Sequence, residues 1–185
     1  LLDLSWSFRL RDAKSVARVY RQTSGYFTPG VFIVPGLVES FYCGKDIAMN
    51  NDLRRQIVEM VCQGRDGHIP SAFSIVDIIA VLYQDYLKFN PRDPQWPGRD
   101  YFILSKGHGC LALYVVLARH GFITKSDIEL FCKPGGILGE HPDCTKVPGV
   151  EASTGSLGHG LPIAVGIALG LKIRQQTNKV FVLVG

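Results

Sequence analysis

The chain has 185 residues, of which 46% are hydrophobic and 19% charged, and this is enough to bury the core of one domain. The composition excludes a disordered chain, a collagen-like repeat and a small disulfide scaffold. The net charge of +4 is too small to indicate a nucleic-acid or membrane partner. The longest apolar run, Leu161–Leu171, is about half of a bilayer span. The five cysteines form no Cys-x-x-Cys pair, which favours free thiols and a cytoplasmic location.

Residues 1–49 form a leader whose predicted elements have no evident partner. Val31–Val34 is a candidate strand, although prolines and a glycine crowd it, and Arg9–Arg21 is a candidate basic helix. The pattern becomes regular just after Met49. We therefore expect residues 1–49 to be a poorly ordered leader and residues 50–185 to be the folded unit.

Helices and strands alternate from residue 50 onward. Asn51 or Asp52 can cap a first helix, and Ser74 can cap a second one after a turn-rich loop that holds His68. Later elements follow in the order strand Tyr101–Leu104, helix Cys110–His120 ended by Gly121, helix from Thr124 with Asp127, loop Pro134–Gly160, helix Leu161–Gln175 and strand Lys179–Val184. This order predicts an α/β fold with a parallel sheet flanked by helices.

Two glycine-rich loops stand where open parallel sheets collect ligands. Ser105–Gly109 leaves a strand, and Gly155–Gly160 leads directly into a helix. For one such loop alone a tight turn is the favoured explanation, and the second loop lacks the preceding strand of a dinucleotide fingerprint. Three histidines, His68, His108 and His141, also lie in loops, and together they favour a site. A zinc site from Cys132, His141 and Cys144 is an alternative, although its spacing matches no common ligand motif.

These loops carry the motifs of a known family. The runs are Leu53–Ile57, Gly67–Ile69, Phe102–His108, His141–Asp143 and Pro148–Gly160. In this order they resemble the N-terminal, thiamine-diphosphate-binding domain of transketolase, and more closely the separately encoded N-terminal transketolase subunit of bacteria. The resemblance covers residues 52–185.

The resemblance implies a fragment of an enzyme that uses thiamine diphosphate and Mg²⁺. Such enzymes move a two-carbon ketol unit from a ketose phosphate to an aldose phosphate. His108 resembles the family histidine near the cofactor diphosphate, and His68 and His141 resemble histidines that face the substrate. The cofactor-binding residues implied with His108 are Gly155, Ser156, Leu157, Gly158 and Gly185.

The sequence departs from the family pattern in several places. Asp66 stands in place of a usual serine, Pro70 and Ala72 in place of small residues or glycine, and His159 in place of glutamine. None of these changes removes an implied catalytic group. His159 is most simply a surface or second-layer substitution, with a direct cofactor contact as the alternative.

The family's metal-binding Gly-Asp-Gly motif begins at Gly185, so we expect an incomplete domain with its Mg²⁺ ligands beyond that residue and no metal ligand within the chain. The expected partners are sugar phosphates and a pyrimidine-binding C-terminal domain or subunit in an oligomer, with no nucleic acid and no membrane. We expect the chain alone to be inactive and to bind the cofactor weakly or not at all. Two alternatives are another thiamine diphosphate enzyme, a synthase or 2-oxo acid dehydrogenase component, and a non-catalytic truncated product.

Overall fold

The computed structural model describes residues 31–34 and 44–185, with side chains from Asn51 onward. The predicted helix Arg9–Arg21 lies outside the described residues. Across the described ranges, no helix is both long and apolar enough to cross a bilayer.

Three parallel strands form the sheet in this part of the chain: β1 (Val31–Val34), β2 (Tyr101–Leu104) and β3 (Val180–Leu183). The order is β1-β3-β2, so the strand that comes last in sequence lies in the middle. Both predicted strands of the folded unit are therefore confirmed. The candidate strand Val31–Val34 is formed as well, and its partner is β3, with Val31 opposite Val180.

Helices cover both faces of this sheet, which confirms the predicted α/β class. Their bounds are α1 Gly44–Gly64, α2 Ile69–Phe73, α3 Val76–Val81 with a following π-helical turn Leu82–Tyr86, α4 Cys110–Arg119, α5 Lys125–Glu129 and α6 Gly160–Ile173. The first helix begins at Gly44, earlier than the predicted caps at Asn51 or Asp52, and it runs across the expected boundary at residue 50.

The predicted helix ends are confirmed in some places and wrong in others. Thr124 and Asp127 form a reciprocal capping box before α5, and Gly121 ends the α4 region with a φ of +81°. Ser74 does not cap the second helix. It ends α2, and its hydroxyl donates back to the carbonyl of Ser71 at 2.9 Å, so α3 begins without a side-chain cap.

Alternate residues of the strands supply two hydrophobic cores, because successive side chains of a strand point to opposite faces. Phe102 and Leu104 pack with α1 to α4, while Ile103 packs with α6 through Ala164 and Leu171. α4 is the central helix of the larger core, since each residue from Cys110 to Leu117 is buried. The carboxyl end of β2 and the start of α4 are consequently held on both sides.

Buried polar groups tie the opposite end of the sheet together. The Asp100 carboxylate accepts from the backbone N–H of Lys179 at 2.7 Å, and the Asn178 side chain donates to the carbonyl of Arg99 at 2.6 Å. Arg99 in turn forms a two-point ion pair with Glu151, with N–O distances of 2.7 and 2.9 Å. This pair attaches the long loop after α5 to the strand that carries the site.

Candidate active site

His108 lies where β2 ends and α4 begins. The strand stays paired as far as Ser105, whose N–H donates to the carbonyl of Leu183 at 2.8 Å. A 3-10 turn, Gly107–Gly109, then brings the chain round to the first residue of α4. The imidazole of His108 is therefore half-buried at the carboxyl edge of the sheet, which is where open α/β sheets bind ligands.

His68 reaches the same place from the loop before α2. Its ring meets the ring of His108 edge-on, with 5.6 Å between centroids and an interplanar angle of 86°. The preceding Gly67 has a φ of +116°, and a Cβ there would lie 2.9 Å from a methyl carbon of Leu111. Glycine thus allows this loop to pack directly against α4.

His141 completes the group from the long loop after α5. Its exposed ring packs on Gly155, where an added Cβ would lie 3.1 Å from the His141 Cδ2 atom. It is also close enough to His108 to disfavour a positive charge there. The structure thus brings the three predicted histidines together from three separate loops, and their chemical roles stay predictions.

The second glycine loop packs backbone against backbone on the end of β2. A Cβ at Gly107 would lie 2.7 Å from the nitrogen of Gly155, and a Cβ at Gly160 would lie 2.6 Å from the Cα of Ser105. The Thr154 hydroxyl donates to the carbonyl of Leu104 at 2.6 Å. The glycines here serve close approach, and the loop is held firmly at its base.

The remaining predicted cofactor residues lie on the surface beside this loop. Ser156 and Gly158 are exposed, and Gly158 has a φ of +86°. Leu157 presents 66% of its side chain to solvent. Gly185 follows β3, and a Cβ there would meet the Lys106 side chain. His159 is exposed at the start of α6 and makes no side-chain capping bond.

The charges around the histidines have a clear direction. Burial, and after it the charges of Lys106, His68 and His141, lower the pKa of His108 below its ordinary 6.5. Lys106 itself donates to the Ser74 hydroxyl at 2.9 Å. His108 is therefore a neutral imidazole near pH 7 and can accept a proton or a hydrogen bond.

Two exposed carboxyls stand beside the histidines. Asp66 and Glu140 share a hydrogen bond, which lowers the pKa of Asp66 and raises that of Glu140. The proximity of His141 and then of His68 opposes this rise in the pKa of Glu140. Asp66, which departs from the family pattern, thus adds acidic character to the mouth of the site.

The side chains at this edge have the chemistry to contact an organic ring. An exposed leucine, glycine backbone and histidines provide ring contacts and hydrogen bonds, and within the described residues the buried Ser105 hydroxyl finds no partner. Among those same residues, no group of three or more His, Cys, Asp or Glu side chains is arranged to hold a metal. The alternative zinc site of Cys132, His141 and Cys144 is therefore not formed.

Sequence reasoning missed the side chains that support the site. Tyr114 and Cys110 on α4 contact the backbone of the His141 loop, and Arg99 holds Glu151 at the base of that loop. The signal for Tyr114 was a polar hydroxyl inside an otherwise apolar helix, since a buried tyrosine hydroxyl needs a partner. His120, just after α4, packs against Phe89 with 5.2 Å between ring centroids and lies away from the site.

Comparison with known proteins gives a consistent result. Residues 45–180 match the family described as "Transketolase, thiamine diphosphate binding domain". A protein named ferredoxin fas2 from Rhodococcoides fascians is 45% identical over 124 residues, which are 66% of this chain and 41% of that protein. An apulose-4-phosphate transketolase subunit from Phocaeicola vulgatus is 39% identical over 132 residues, which are 71% of this chain and 47% of that protein. The chain spans less than half the length of these two curated relatives.

Solved structures agree with this result. The Pichia stipitis transketolase in complex with sedoheptulose-7-phosphate superposes with a TM-score of 0.67 at 32% identity, over 76% of this chain and 22% of that one. The family match, over residues 45–180, includes β2, the loops that follow it and the first residue of β3, Val180. This chain belongs to the transketolase family, and its residues 45–180 match the thiamine diphosphate binding domain of that family.

Proposed function

We propose that this chain supplies the diphosphate-binding half of a site that transfers a two-carbon ketol unit from a ketose phosphate to an aldose phosphate. The observation that carries the proposal is the convergence of His68, His108 and His141 beside the Gly155–Gly158 loop. Family membership limits the chemistry to thiamine diphosphate enzymes. A synthase or 2-oxo acid dehydrogenase component remains the alternative within that class.

The residues at the edge of β2 divide the work of holding the cofactor. The backbone from Gly155 to Gly158 would hold the rings, with Leu157 as the apolar contact, and His108 would lie beside the diphosphate and the reacting centre. Gly185, which follows β3, would lie at the diphosphate end of the site, where Mg²⁺ would also bind. Thiamine diphosphate, when bound, supplies the electron sink for breaking and forming carbon–carbon bonds.

The histidines orient the sugar and move protons. His68 and His141 are exposed toward the open side of the group and donate or accept hydrogen bonds at the hydroxyls of the donor sugar. His108 is held neutral by its lowered pKa, so it could take the proton of a donor-sugar hydroxyl when the adjacent carbon–carbon bond breaks and that hydroxyl becomes a carbonyl. The close packing of His141 on Gly155 keeps its ring beside the loop that receives the cofactor.

A complementary pyrimidine-binding domain or separate chain completes the site. Two relatives that match this chain are named as subunits, one of an apulose-4-phosphate transketolase and one of a 6-deoxy-6-sulfo-D-fructose transketolase. α6, which follows the glycine loop, exposes Val165, Leu169 and Ile173, an apolar face of the kind that a permanent interface between subunits covers. We further propose that the assembled enzyme is an oligomer in the cytoplasm.

A chimera tests the proposed activity. Residues 45–180 replace the matched segment of the Phocaeicola vulgatus relative, and the product is assayed with its complementary subunit, thiamine diphosphate and Mg²⁺ on a panel of ketose phosphates and 2-oxo acids. We expect transfer from a ketose phosphate to an aldose phosphate. Substitutions His68→Ala, His108→Ala and His141→Ala should each reduce the rate by about 10²–10⁴-fold, while His120→Phe, away from the site, should not.

Other outcomes of this experiment count against the proposal. A folded, assembled chimera that acts on 2-oxo acids instead of sugars would move the chain to the alternative class. One that binds the cofactor but acts on nothing would support the non-catalytic alternative. For the 185-residue chain itself we expect no transfer, and weak or no binding of thiamine diphosphate in calorimetry; tight magnesium-dependent binding would contradict that part.

A further inference from the structure

Tyr114 places its hydroxyl under the backbone of His141. The Oη atom lies 2.9 Å from the carbonyl oxygen of His141 and 3.0 Å from that of Gly139, so one O–H donates to both. The side chain is fully buried, and its ring packs near that of Phe131 with 6.3 Å between centroids. In these contacts Tyr114 reaches the loop that carries His141 through its hydroxyl, while its ring packs in the core.

Cys110, one helical turn earlier, contacts the residue between those two. Its Sγ lies 2.9 Å from the carbonyl oxygen of Glu140. Residues four apart lie on the same face of a helix, so α4 presents two donors to three successive carbonyls, those of Gly139, Glu140 and His141. Burial raises the pKa of Tyr114 and raises that of the Cys110 thiol to about 12, so both groups keep their protons and donate.

The segment that receives these bonds has no regular structure of its own. Residues 139–141 are bends and coil between the turns of the long loop, and the ring of His141 is exposed. The next backbone tie is the N–H of Thr154, which donates to the carbonyl of Pro142 at 3.2 Å. The position of the His141 ring thus depends on how its own backbone is held from below.

His108 lies in the 3-10 turn that leads into α4, and Gly109 alone separates it from Cys110, the first residue of that helix. The same rigid helix therefore fixes one histidine by chain continuity and the other by side-chain hydrogen bonds. We propose that Tyr114 is a positioning residue that sets the distance between the rings of His141 and His108, with Cys110 as its second donor. The role of this distance in catalysis rests on the proposed function. The positioning of the His141 ring by Tyr114 does not.

The test uses Tyr114→Phe in the full 185-residue chain, because it removes the hydroxyl and keeps the buried ring. Tyr83→Phe is the matched control: Tyr83 is also buried and packs against Phe89 and Phe102, away from His141. Histidine ring C–H resonances are followed by NMR, with His141→Gln to assign the His141 signal. We expect Tyr114→Phe to shift or broaden the His141 signal and to leave His120 in place, and Tyr83→Phe to leave His141 unchanged.

An unchanged His141 signal in a folded Tyr114→Phe chain would overturn the proposal, as would an equal shift in the Tyr83→Phe control. If Tyr114→Phe fails to fold, Cys110→Ala and Cys110→Ser replace it. The alanine variant should shift the His141 signal, and the serine variant, which keeps a donor, should restore it. Equal signals from both cysteine variants would count against the proposal.

Activity gives a separate readout in the chimera described above. Tyr114→Phe should raise the KM for the donor sugar about tenfold, the effect of losing one good hydrogen bond, and change kcat less. A loss that follows protein stability alone, equal in Tyr83→Phe, would indicate a merely structural role. If the chimera is inactive, the proposed function fails while the NMR result still decides the positioning.

Discussion

The rings of His68 and His108 meet edge to face at 5.6 Å, although forty residues separate them in the chain. At this distance a proton on one ring raises the cost of a proton on the other. Lys106 adds a further positive charge beside His108, and burial of the ring acts in the same direction. His108 thus resists protonation because its ring is partly buried and because Lys106, His68 and His141 lie close to it.

Removing these neighbours should raise the pKa of His108 toward 6.5. Lys106 is the largest of the three electrostatic causes, ahead of His68 and His141, so Lys106→Met should raise the pKa more than His68→Gln does. An NMR titration of the His108 ring C–H signal measures both. A reversed order, or no change in either variant, would mean that the charges around His108 are not arranged as described.

Acid should destabilise the folded chain through His120 and His108. Burial is the first cause that lowers the pKa of each below 6.5. At pH values between the folded-state pKa and the unfolded-state pKa, the unfolded chain binds more protons than the folded chain. The contribution of these two histidines to the free energy of unfolding is therefore complete above about pH 6.5 and falls as the pH drops below that value. Urea unfolding at about pH 7.5 and about pH 5.5 should show this loss. His120→Phe should reduce the pH dependence, and His108→Gln should reduce what remains.

Three glycine-to-alanine changes should rank in a defined order of stability. Gly107→Ala should cost about 1–3 kcal/mol, because its Cβ would lie 2.7 Å from the backbone of Gly155. Gly155→Ala should cost little, since the exposed His141 ring can move away. Gly166→Ala should stabilise by about 0.5–1 kcal/mol, because nothing lies within 4 Å of its Cβ in the middle of α6. Urea unfolding of the three variants checks the ranking, and a destabilising Gly166→Ala would contradict it.

The Arg99–Glu151 pair should behave as one unit. The two side chains are 10% and 9% exposed, so removing either partner leaves a charge with little access to water. Arg99→Met and Glu151→Met should each cost about 3–5 kcal/mol, while the double variant should be closer to the parent chain. Unfolding free energies of all four proteins form the cycle, and strictly additive losses would show that the two residues act independently.

Local signals in the sequence predicted local structure well. Thr124 and Asp127 are three residues apart, and their capping box depends on little else. Ser74 shows the limit of this reasoning. Its hydroxyl could accept from a backbone N–H of the following helix or donate to the carbonyl of Ser71, and the structure forms the second bond. The glycines of the site loops were predicted from the position of those loops at a ligand-binding edge of the sheet. In the structure, Gly107 and Gly160 allow the backbone to pack closely on the backbone of Gly155 and Ser105.

Contacts between distant parts of the chain could not be predicted in the same way. Val31–Val34 offers a strand pattern, but nothing in those four residues specifies pairing with Val180–Leu183. The hydroxyl of Tyr114 needs a partner, yet the sequence does not say that this partner is the carbonyl of His141. The candidate site could be proposed because family motifs link its loops. The side chains beneath the site could not be predicted, since they belong to none of these family motifs.

The central position of β3 has a consequence for how the protein is made. Among the described strands, β1 and β2 both pair with β3, so each lacks this neighbour until residues 180–183 have left the ribosome. Until then the edges of these two apolar strands stay unpaired with β3. Contacts between residues so far apart in the sequence form slowly. This period of synthesis is when the protein is most exposed to aggregation, and a chaperone that binds short apolar strands would act on it then.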